Sequence, residues 1–188
     1  MPVVRFAKGQ GKMIFGLFRN NPHEETVARL HAAIVAQSRR PAFFLPPCSA
    51  PDTFEGRFEI LTLNSGLVLR RLSLLPQPGP EIAQALSNVI FSHFDDALRE
   101  VGISDVGVPK KMMKLAGAFM GRGIAYAQAL EAGETELAAA LKRNVLGGQG
   151  DASALSAYAI AAQTKLDATP LETFLSGEAP FPDPCPEP

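Results

Sequence analysis

The strongest constraint in this sequence is an apolar run between residues 54 and 75, bounded on both sides by prolines. Its apolar side chains recur at alternating intervals of four and three, which is the spacing of one face of an α-helix. Additional leucines extend the apolar surface to nearly the whole circumference, and a helix of that kind has to be covered by other elements. The sequence therefore predicts a central buried helix. Asn64, Ser65 and Gly66 interrupt it in the middle, where we expect a kink or a close helix crossing.

Five other segments have apolar residues at helical spacing, with start or stop signals such as a first-turn proline or a terminal glycine. They lie at 21–40, 82–101, 109–130, 137–145 and 151–166, and a short turn is expected near 169–172. We find no alternating strand pattern and no internal repeat. The predicted fold is therefore all-α, a compact bundle of about six helices.

The domain organisation follows from the length of the chain and the distribution of its prolines. A chain of 188 residues with 46% hydrophobic content forms a single folding unit. Residues 1–20 are predicted to be a basic and apolar N-terminal extension, and residues 21–175 to be the helical domain. Five prolines among the last ten residues leave no periodic apolar pattern, so we expect residues 176–188 to form a disordered, acidic tail.

Bulk charge and cysteine content limit the classes of partner and compartment. The net charge of −1 and the pI near 6.3 argue against DNA or another polyanion as partner. Cys48 and Cys185 lie far apart and suggest neither a disulfide framework nor a metal site, so free thiols in a reducing compartment are expected. No apolar run approaches the roughly 18 residues of a membrane span. These features predict a cytoplasmic protein, in peripheral contact with a membrane at most.

We find no group of residues that supports catalysis or cofactor binding. His23, His31 and His93 have no acid, base or metal-ligand partner at a useful spacing, and the common zinc, nucleophile and redox motifs do not occur. The glycine cluster at 147–150 lacks the lysine of a phosphate loop and is better explained as a helix break. The sequence therefore predicts a protein that is not an enzyme and has no cofactor or metal.

The helix predicted at 109–130 combines positive charge with methionine. Lys110, Lys111, Lys114 and Arg122 meet a single acid between residues 105 and 122. A solvated helix face is the ordinary explanation of such a charge run, and methionines at helical spacing are most often core. The alternative is a surface for apolar, variable polypeptide, because flexible thioethers beside positive charge suit such a partner. The sequence leaves open which way these methionines point, and glycines at 117 and 121 would let another helix approach closely.

The N-terminal extension offers a second candidate surface, in this case for a membrane. Apolar and basic residues occur there without an acid, a composition that suits an anionic lipid surface. The candidate membrane-surface residues are Ile14, Phe15, Leu17, Phe18 and Arg19. Folding of this segment back on the domain is the alternative, and Met13 is an alternative start to Met1.

Three sequence blocks resemble the ubiquinol-cytochrome c chaperone family. The first spans residues 30–39 and continues with Pro-Ala-Phe-Phe at 41–44. The second is Pro-Asp-Thr-Phe-Glu-Gly-Arg-Phe-Glu at 51–59, followed by Leu-Val-Leu-Arg-Arg-Leu at 67–72. The third combines Leu-Arg-Glu-Val-Gly-Ile-Ser-Asp at 98–105, Val-Pro-Lys-Lys-Met-Met-Lys at 108–114 and Ala-Phe-Met-Gly-Arg at 118–122. The resemblance covers roughly residues 28–145, and Asn64 and Met120 depart from the family's pattern.

The resemblance implies a helical, non-enzymatic chaperone that holds newly made cytochrome b near the membrane during assembly of ubiquinol-cytochrome c reductase. For mitochondrial relatives it also implies contact with the ribosome and with a small partner protein. A convincing transit peptide is absent, which favours a bacterial member; a eukaryotic one would act on the matrix side of the inner membrane. The residues that we expect to bind the client are Asp52, Arg57, Glu59, Arg99, Asp105, Lys110, Lys111, Lys114, Phe119 and Arg122.

Two other functions stay open on the residues alone. One is a peripheral membrane-binding helical module without a client, for which the N-terminal extension would supply the lipid contact. The other is a haem- or quinone-binding protein with a pocket between its helices.

Overall fold

The computed structural model describes residues 23–100 and 102–184. In this part of the chain all regular structure is helical, with seven α-helices and one 3-10 turn at Pro41–Phe43. The helices are α1 Glu24–Ser38, α2 Phe54–Leu74, α3 Gly79–Glu100, α4 Val108–Ala132, α5 Glu134–Asn144, α6 Ser153–Asp167 and α7 Leu171–Leu175. The predicted all-α bundle is confirmed, and the turn expected near 169–172 becomes the short seventh helix.

The helix α2 lies at the centre, as its apolar periodicity predicts, and it packs against α1, α3, α4 and α6. Thr53 caps its first turn by accepting a hydrogen bond from the Gly56 amide at 3.2 Å. A Cβ at Gly56 would lie 1.9 Å from the Pro51 carbonyl oxygen, so only glycine fits there. A Cβ at Gly66 would meet no atom within 4 Å, so the close crossing expected from the sequence is wrong at this glycine.

The polar break in the middle of α2 is occupied by a buried hydrogen-bond network. Asn64 donates to Ser38 Oγ at 3.0 Å and accepts from the Tyr158 hydroxyl at 2.6 Å. Gln37 donates to the Tyr158 hydroxyl at 3.1 Å and to the Pro182 carbonyl oxygen at 2.9 Å. Buried polar groups are retained when their hydrogen bonds are made, and this network joins α1, α2, α6 and the C-terminal segment.

The other helices surround α2 and share one continuous apolar core. α1 and α3 pack against each other and against α2, while α4 packs against α2, α3 and α5. α5 in turn connects α4 to α6, and α7 packs against α1. Two fully buried aromatic side chains, Phe43 in the loop after α1 and Phe174 in α7, anchor the loop segments to this core. The sites described below therefore lie on a rigid scaffold.

The C-terminal tail departs from the prediction. Residues 176–184 are fixed on the domain, where Lys165 Nζ donates to the Phe181 carbonyl oxygen at 3.0 Å and Asp183 pairs with Arg40 at 2.7 Å. The Phe181 ring also packs against the core. The expected disorder is therefore wrong for these residues. The segment is held by backbone carbonyl oxygens and by one aromatic ring. Contacts of this kind produce no periodic pattern in the sequence, so they could not be predicted from it.

Cys48 also departs from the prediction. It is fully buried and disulfide-bonded, so the free thiol expected from the sequence is wrong at this position. The other cysteine of the chain, Cys185, lies outside the described residues. The reducing compartment inferred from free thiols loses its basis.

The N-terminal extension, residues 1–20, lies outside the described part of the chain. The same holds for the candidate membrane-surface residues, Ile14, Phe15, Leu17, Phe18 and Arg19. Among the helices that the structure describes, none has the length and apolar character needed to cross a membrane.

Candidate functional site

The residues predicted to bind a client fall into separate places, and the first is the start of α2. Arg57 Nε donates to Asp52 Oδ1 at 2.6 Å, and the pair is half-exposed to solvent. The Arg57 guanidinium carbon lies 5.1 Å from the centroid of the Phe44 ring, a cation–π distance. Exposed ion pairs of this kind contribute little to stability, so fold stability alone does not explain these charges.

Glu59 and Arg122 form a second place, at the interface between α2 and α4. Glu59 is only 7% exposed, and Arg122 donates to both of its carboxylate oxygens, with distances of 2.9 Å from Nη2 and 3.2 Å from Nε. Hydrogen bonding to Glu59 raises the pKa of the Arg122 guanidinium. A two-point bond of this kind fixes orientation as well as charge. In this structure the pair holds α4 on α2, and Glu59 is not accessible to a partner.

Phe119 is also internal. It is 7% exposed, and its ring centroid lies 5.4 Å from that of Phe91 and 5.7 Å from that of Phe94. Phe94 in turn contacts Phe58 at 5.2 Å, so the cluster joins α2, α3 and α4. Edge-on aromatic contacts at these distances stabilise a core. Phe119 therefore packs α4 onto the core and is not exposed to a partner.

Arg99 and Asp105 lie at the connection between α3 and α4. Arg99 Nε donates to Asp95 one turn earlier at 2.8 Å, and Arg99 Nη1 donates to Asp105 in the connecting turn. The side chains of Arg99 and Asp105 are exposed. These bonds tie the turn to the end of α3, and so they set the position from which α4 begins.

Lys110, Lys111 and Lys114 occupy the first turns of α4, with exposed side chains. None of the three forms an ion pair or hydrogen bond with any residue of the described chain. The N-terminus of a helix carries a partial positive charge, which disfavours cations there. Three lysines at this position therefore weaken the helix slightly, and local stability does not account for them.

Exposed apolar side chains follow the lysines along the same side of α4. Met113 is 78% exposed, Ile124 60% and Met120 44%, whereas Met112 packs against the core. This settles the orientation that the sequence left open. Gly117 lies between these side chains and is exposed as well. We call this surface the outer face of α4; its residues are Lys110, Met113, Gly117, Met120, Gly121, Ile124, Gln128 and Glu131.

A groove between α1, α2 and α3 is a further concave feature, with a volume of about 180 Å³. Its walls are mainly apolar and carry a few polar groups. The lining residues are Val35, Ser38, Arg39, Phe54, Arg57, Phe58, Leu61, His93, Phe94 and Ala97. The sequence singled out only Arg57 among them as a site residue, because the groove exists only once three separate helices have packed together.

His31 and His93 meet beside this groove. Their ring centroids lie 5.1 Å apart in an edge-on arrangement. Burial lowers the pKa of both imidazoles, and the positive charge of Arg39 lowers the pKa of His93 further. Within the described ranges, no group of three or more histidine, cysteine, aspartate or glutamate side chains could hold a metal ion.

Comparison with known proteins identifies the family. The family model described as "Ubiquinol-cytochrome C chaperone" matches residues 47–181, which includes the second and third sequence blocks and extends beyond residue 150. A solved structure, "Crystal structure of the Cbp3 homolog from Brucella abortus", is similar at 37% identity with a TM-score of 0.78, covering 91% of this chain and 97% of that chain. No curated protein matches. Because the matched range exceeds half of its length, this chain belongs to the ubiquinol-cytochrome c chaperone family.

Proposed function

We propose that this protein is a non-enzymatic assembly chaperone that binds newly made cytochrome b while ubiquinol-cytochrome c reductase is assembled. Membership of the family supports the chaperone role. The observation that carries the client assignment is the outer face of α4, where large apolar side chains are exposed beside three lysines. An exposed apolar patch with a charged border is typical of a surface that binds another polypeptide.

The apolar part of the outer face would supply the affinity. Met113, Met120 and Ile124 are exposed, and covering them with an apolar client segment removes their surface from water. Full burial of such a side chain contributes about 1.5–3 kcal/mol. Methionine has a flexible, polarizable side chain that adapts to different partner surfaces. A newly made membrane segment, apolar and not yet packed, is a partner of this kind.

The lysines would supply direction. Lys110 lies at one end of the outer face, and Lys111 and Lys114 lie beside it, so a client approaches with its acidic end toward these three lysines. Charges at the border of an interface mainly accelerate association and fix orientation. The positively charged end and the apolar stripe together define one direction for the bound segment.

The buried members of the predicted site act indirectly in this proposal. Glu59, Phe119 and Arg122 position α4, while Arg99 and Asp105 fix the turn that precedes it. Asp52 and Arg57 lie at the exposed start of α2, beside the apolar groove, and would contact a client only if it also reached this end of the domain.

We further propose that the protein works in peripheral contact with the inner membrane. The N-terminal residues Ile14, Phe15, Leu17, Phe18 and Arg19 have the composition for that contact. The ribosome and a small partner protein are further candidate partners, on the resemblance of the sequence to its family.

A haem- or quinone-binding function is the alternative that the groove between α1, α2 and α3 raises. His93 lines it and would be the natural axial ligand. Its volume of about 180 Å³ lies below the roughly 300–1,000 Å³ of sites for ligands of that size. The groove would have to widen before it could enclose a haem, and we favour the client-binding function for that reason.

Charge reversal tests the proposal. A Lys110→Glu, Lys111→Glu, Lys114→Glu variant should capture at least about tenfold less cytochrome b from native membranes, because the steering charge becomes repulsive. A Lys142→Glu, Arg143→Glu variant on the exposed side of α5 changes charge in the same direction and should capture as the wild type does.

The readout should include function in cells. In a strain without the gene, the haem b absorbance of the membranes should fall and the wild-type chain should restore it. A lysine-reversed variant that is folded and restores the absorbance fully would refute the assignment of the client site to α4.

A further inference from the structure

The exposed positions on the outer face of α4 have the same spacing in both directions along the helix. They lie at 110, 113, 117, 120, 121, 124, 128 and 131. Consider a second α4 packed antiparallel on the first, with a two-fold axis between positions 120 and 121. In this arrangement position 110 lies opposite 131 of the second copy, and 113 lies opposite 128. Position 117 lies opposite 124, and 120 lies opposite 121. Each residue of the outer face therefore meets another residue of the same face, while the exposed Lys111 and Lys114 lie outside the face and come opposite the half-exposed positions 130 and 127. Such self-complementarity is what a two-fold symmetric interface requires.

We propose that the outer face of α4 binds a second copy of this chain in this antiparallel arrangement, and that the pairing covers the client-binding surface until a client displaces it. Only the claim that the pairing covers a client-binding surface rests on the proposed function. The pairing itself follows from the shape and charge of α4.

Side-chain size is complementary across the proposed axis. Met120 lies opposite Gly121 of the second copy, and Ile124 lies opposite Gly117, so these two large side chains face positions without a side chain. A Cβ at Gly117 or Gly121 would meet no atom within 4 Å in the described chain. Packing within the domain therefore does not require these glycines. A second helix that approaches closely would give them a role, since small residues allow two helix backbones to come near each other.

Charge is complementary in the same register. Lys110 lies opposite Glu131 of the second copy, and each of these exposed side chains has no ion pair or hydrogen bond within the described residues. The two lie about 31 Å apart along one helix, at 1.5 Å per residue, so they cannot pair within a chain. Lys111 extends the basic end of α4, and Glu134 at the start of α5 extends the acidic end. A parallel arrangement would place like charges together.

The expected association is weak. A single pair of helices buries less surface than the roughly 1,200–2,000 Å² of stable protein interfaces. We expect a dissociation constant in the micromolar range, weak enough for a client to displace the second copy. Such a cover would also keep the apolar side chains away from unrelated proteins when no client is present.

Sedimentation equilibrium of the full chain over a range of micromolar concentrations measures this association. The wild type should show a monomer–dimer equilibrium, and Lys110→Glu or Glu131→Lys alone should raise the dissociation constant at least about tenfold, because two attractive pairs become repulsive. The double variant with both changes should return to the wild-type value. A wild type that stays monomeric throughout, or a double variant that does not recover, overturns the proposal.

Gly121→Leu provides a test that is independent of charge. Leucine is a better helix former than glycine, so the melting temperature should stay or rise while the dimer is lost. Lys142→Glu, which lies off the outer face, is the matched control and should dimerise as the wild type does. A Gly121→Leu variant that dimerises normally contradicts the proposed register.

Capture of cytochrome b by the same variants separates this inference from the proposed function. If Gly121→Leu is monomeric and the lysine reversals do not affect capture, the pairing stands and the client site does not. If the wild type is monomeric and capture depends on the lysines, the client site stands and the pairing does not.

Discussion

Arg122 of α4 donates hydrogen bonds to both carboxylate oxygens of Glu59, a residue 63 positions earlier in the second turn of α2. The contact lies beneath the helix whose opposite side carries the lysines and the exposed methionines. The geometry of an exposed surface therefore depends on an ion pair inside the domain, and variants of that pair separate fold from function.

Arg122→Met should lower the free energy of unfolding by about 2–3 kcal/mol. It leaves Glu59 buried without a partner, and partial access of water at Arg122 keeps the loss below that of a fully buried pair. Urea unfolding measures the change. The double variant Glu59→Gln, Arg122→Met should recover part of the loss, since the uncompensated charge is gone; equal stability of the single and double variants would contradict this account.

Tyr158→Phe should cost about 1–3 kcal/mol, because it removes the donor to Asn64 Oδ1 in a buried network. Thermal or urea unfolding detects a loss of this size. Ser73→Ala removes an exposed hydroxyl that bonds only within its own helix, and it should change stability by less than about 0.5 kcal/mol. Similar effects of the two substitutions would show that the network does not stabilise the domain.

The free energy of unfolding should fall as the pH drops below 6.5, which is the ordinary pKa of a histidine side chain. Burial lowers the pKa of His31 and of His93 in the folded domain, so below 6.5 the unfolded chain takes up protons that the folded chain does not. Above 6.5 both states are neutral and the effect vanishes. A His31→Gln, His93→Gln variant should have a flatter profile of unfolding free energy between pH 7 and pH 5, roughly the range of an ordinary histidine titration.

Phe181→Ala should lower the free energy of unfolding by about 1–2 kcal/mol. It removes an aromatic ring of the C-terminal segment that is partly buried against the core. Differential scanning calorimetry measures the change. Asp183→Asn removes only an exposed charge from the same segment and should have little effect. A Phe181→Ala variant as stable as the wild type would show that the ring of this segment does not stabilise the fold.

The sequence allowed the helices to be predicted because their apolar spacing is local. The apolar spacing of the run from 54 to 75 predicted α2, and Thr53 caps its first turn. The polar centre of α2 could not be interpreted in the same way. Asn64 has its partner Tyr158 94 positions away, and no local pattern records a contact of that length.

The sequence predicted which kinds of residue make up the candidate site, but not which of their side chains point to solvent and which to the core. Met112 and Met113 are neighbours with the same side chain, yet one packs on the core and the other is exposed. Both belong to apolar stripes of equal regularity, and only the position of α2 beneath α4 distinguishes them. Glu59 was selected as a surface residue for a similar reason, because a charge in a sequence block does not indicate that a distant arginine has buried it.

The network around Asn64 also orders events in the synthesis of this chain. A ribosome completes α2 well before it reaches Tyr158, and it reaches Pro182 later still. Until those residues have emerged, the amide in the middle of the central helix has no complete set of partners, and closing the core around it is unfavourable. The domain therefore acquires its final packing only after residues up to Pro182 have emerged, so the central helix waits without its polar partners while more than a hundred residues are added.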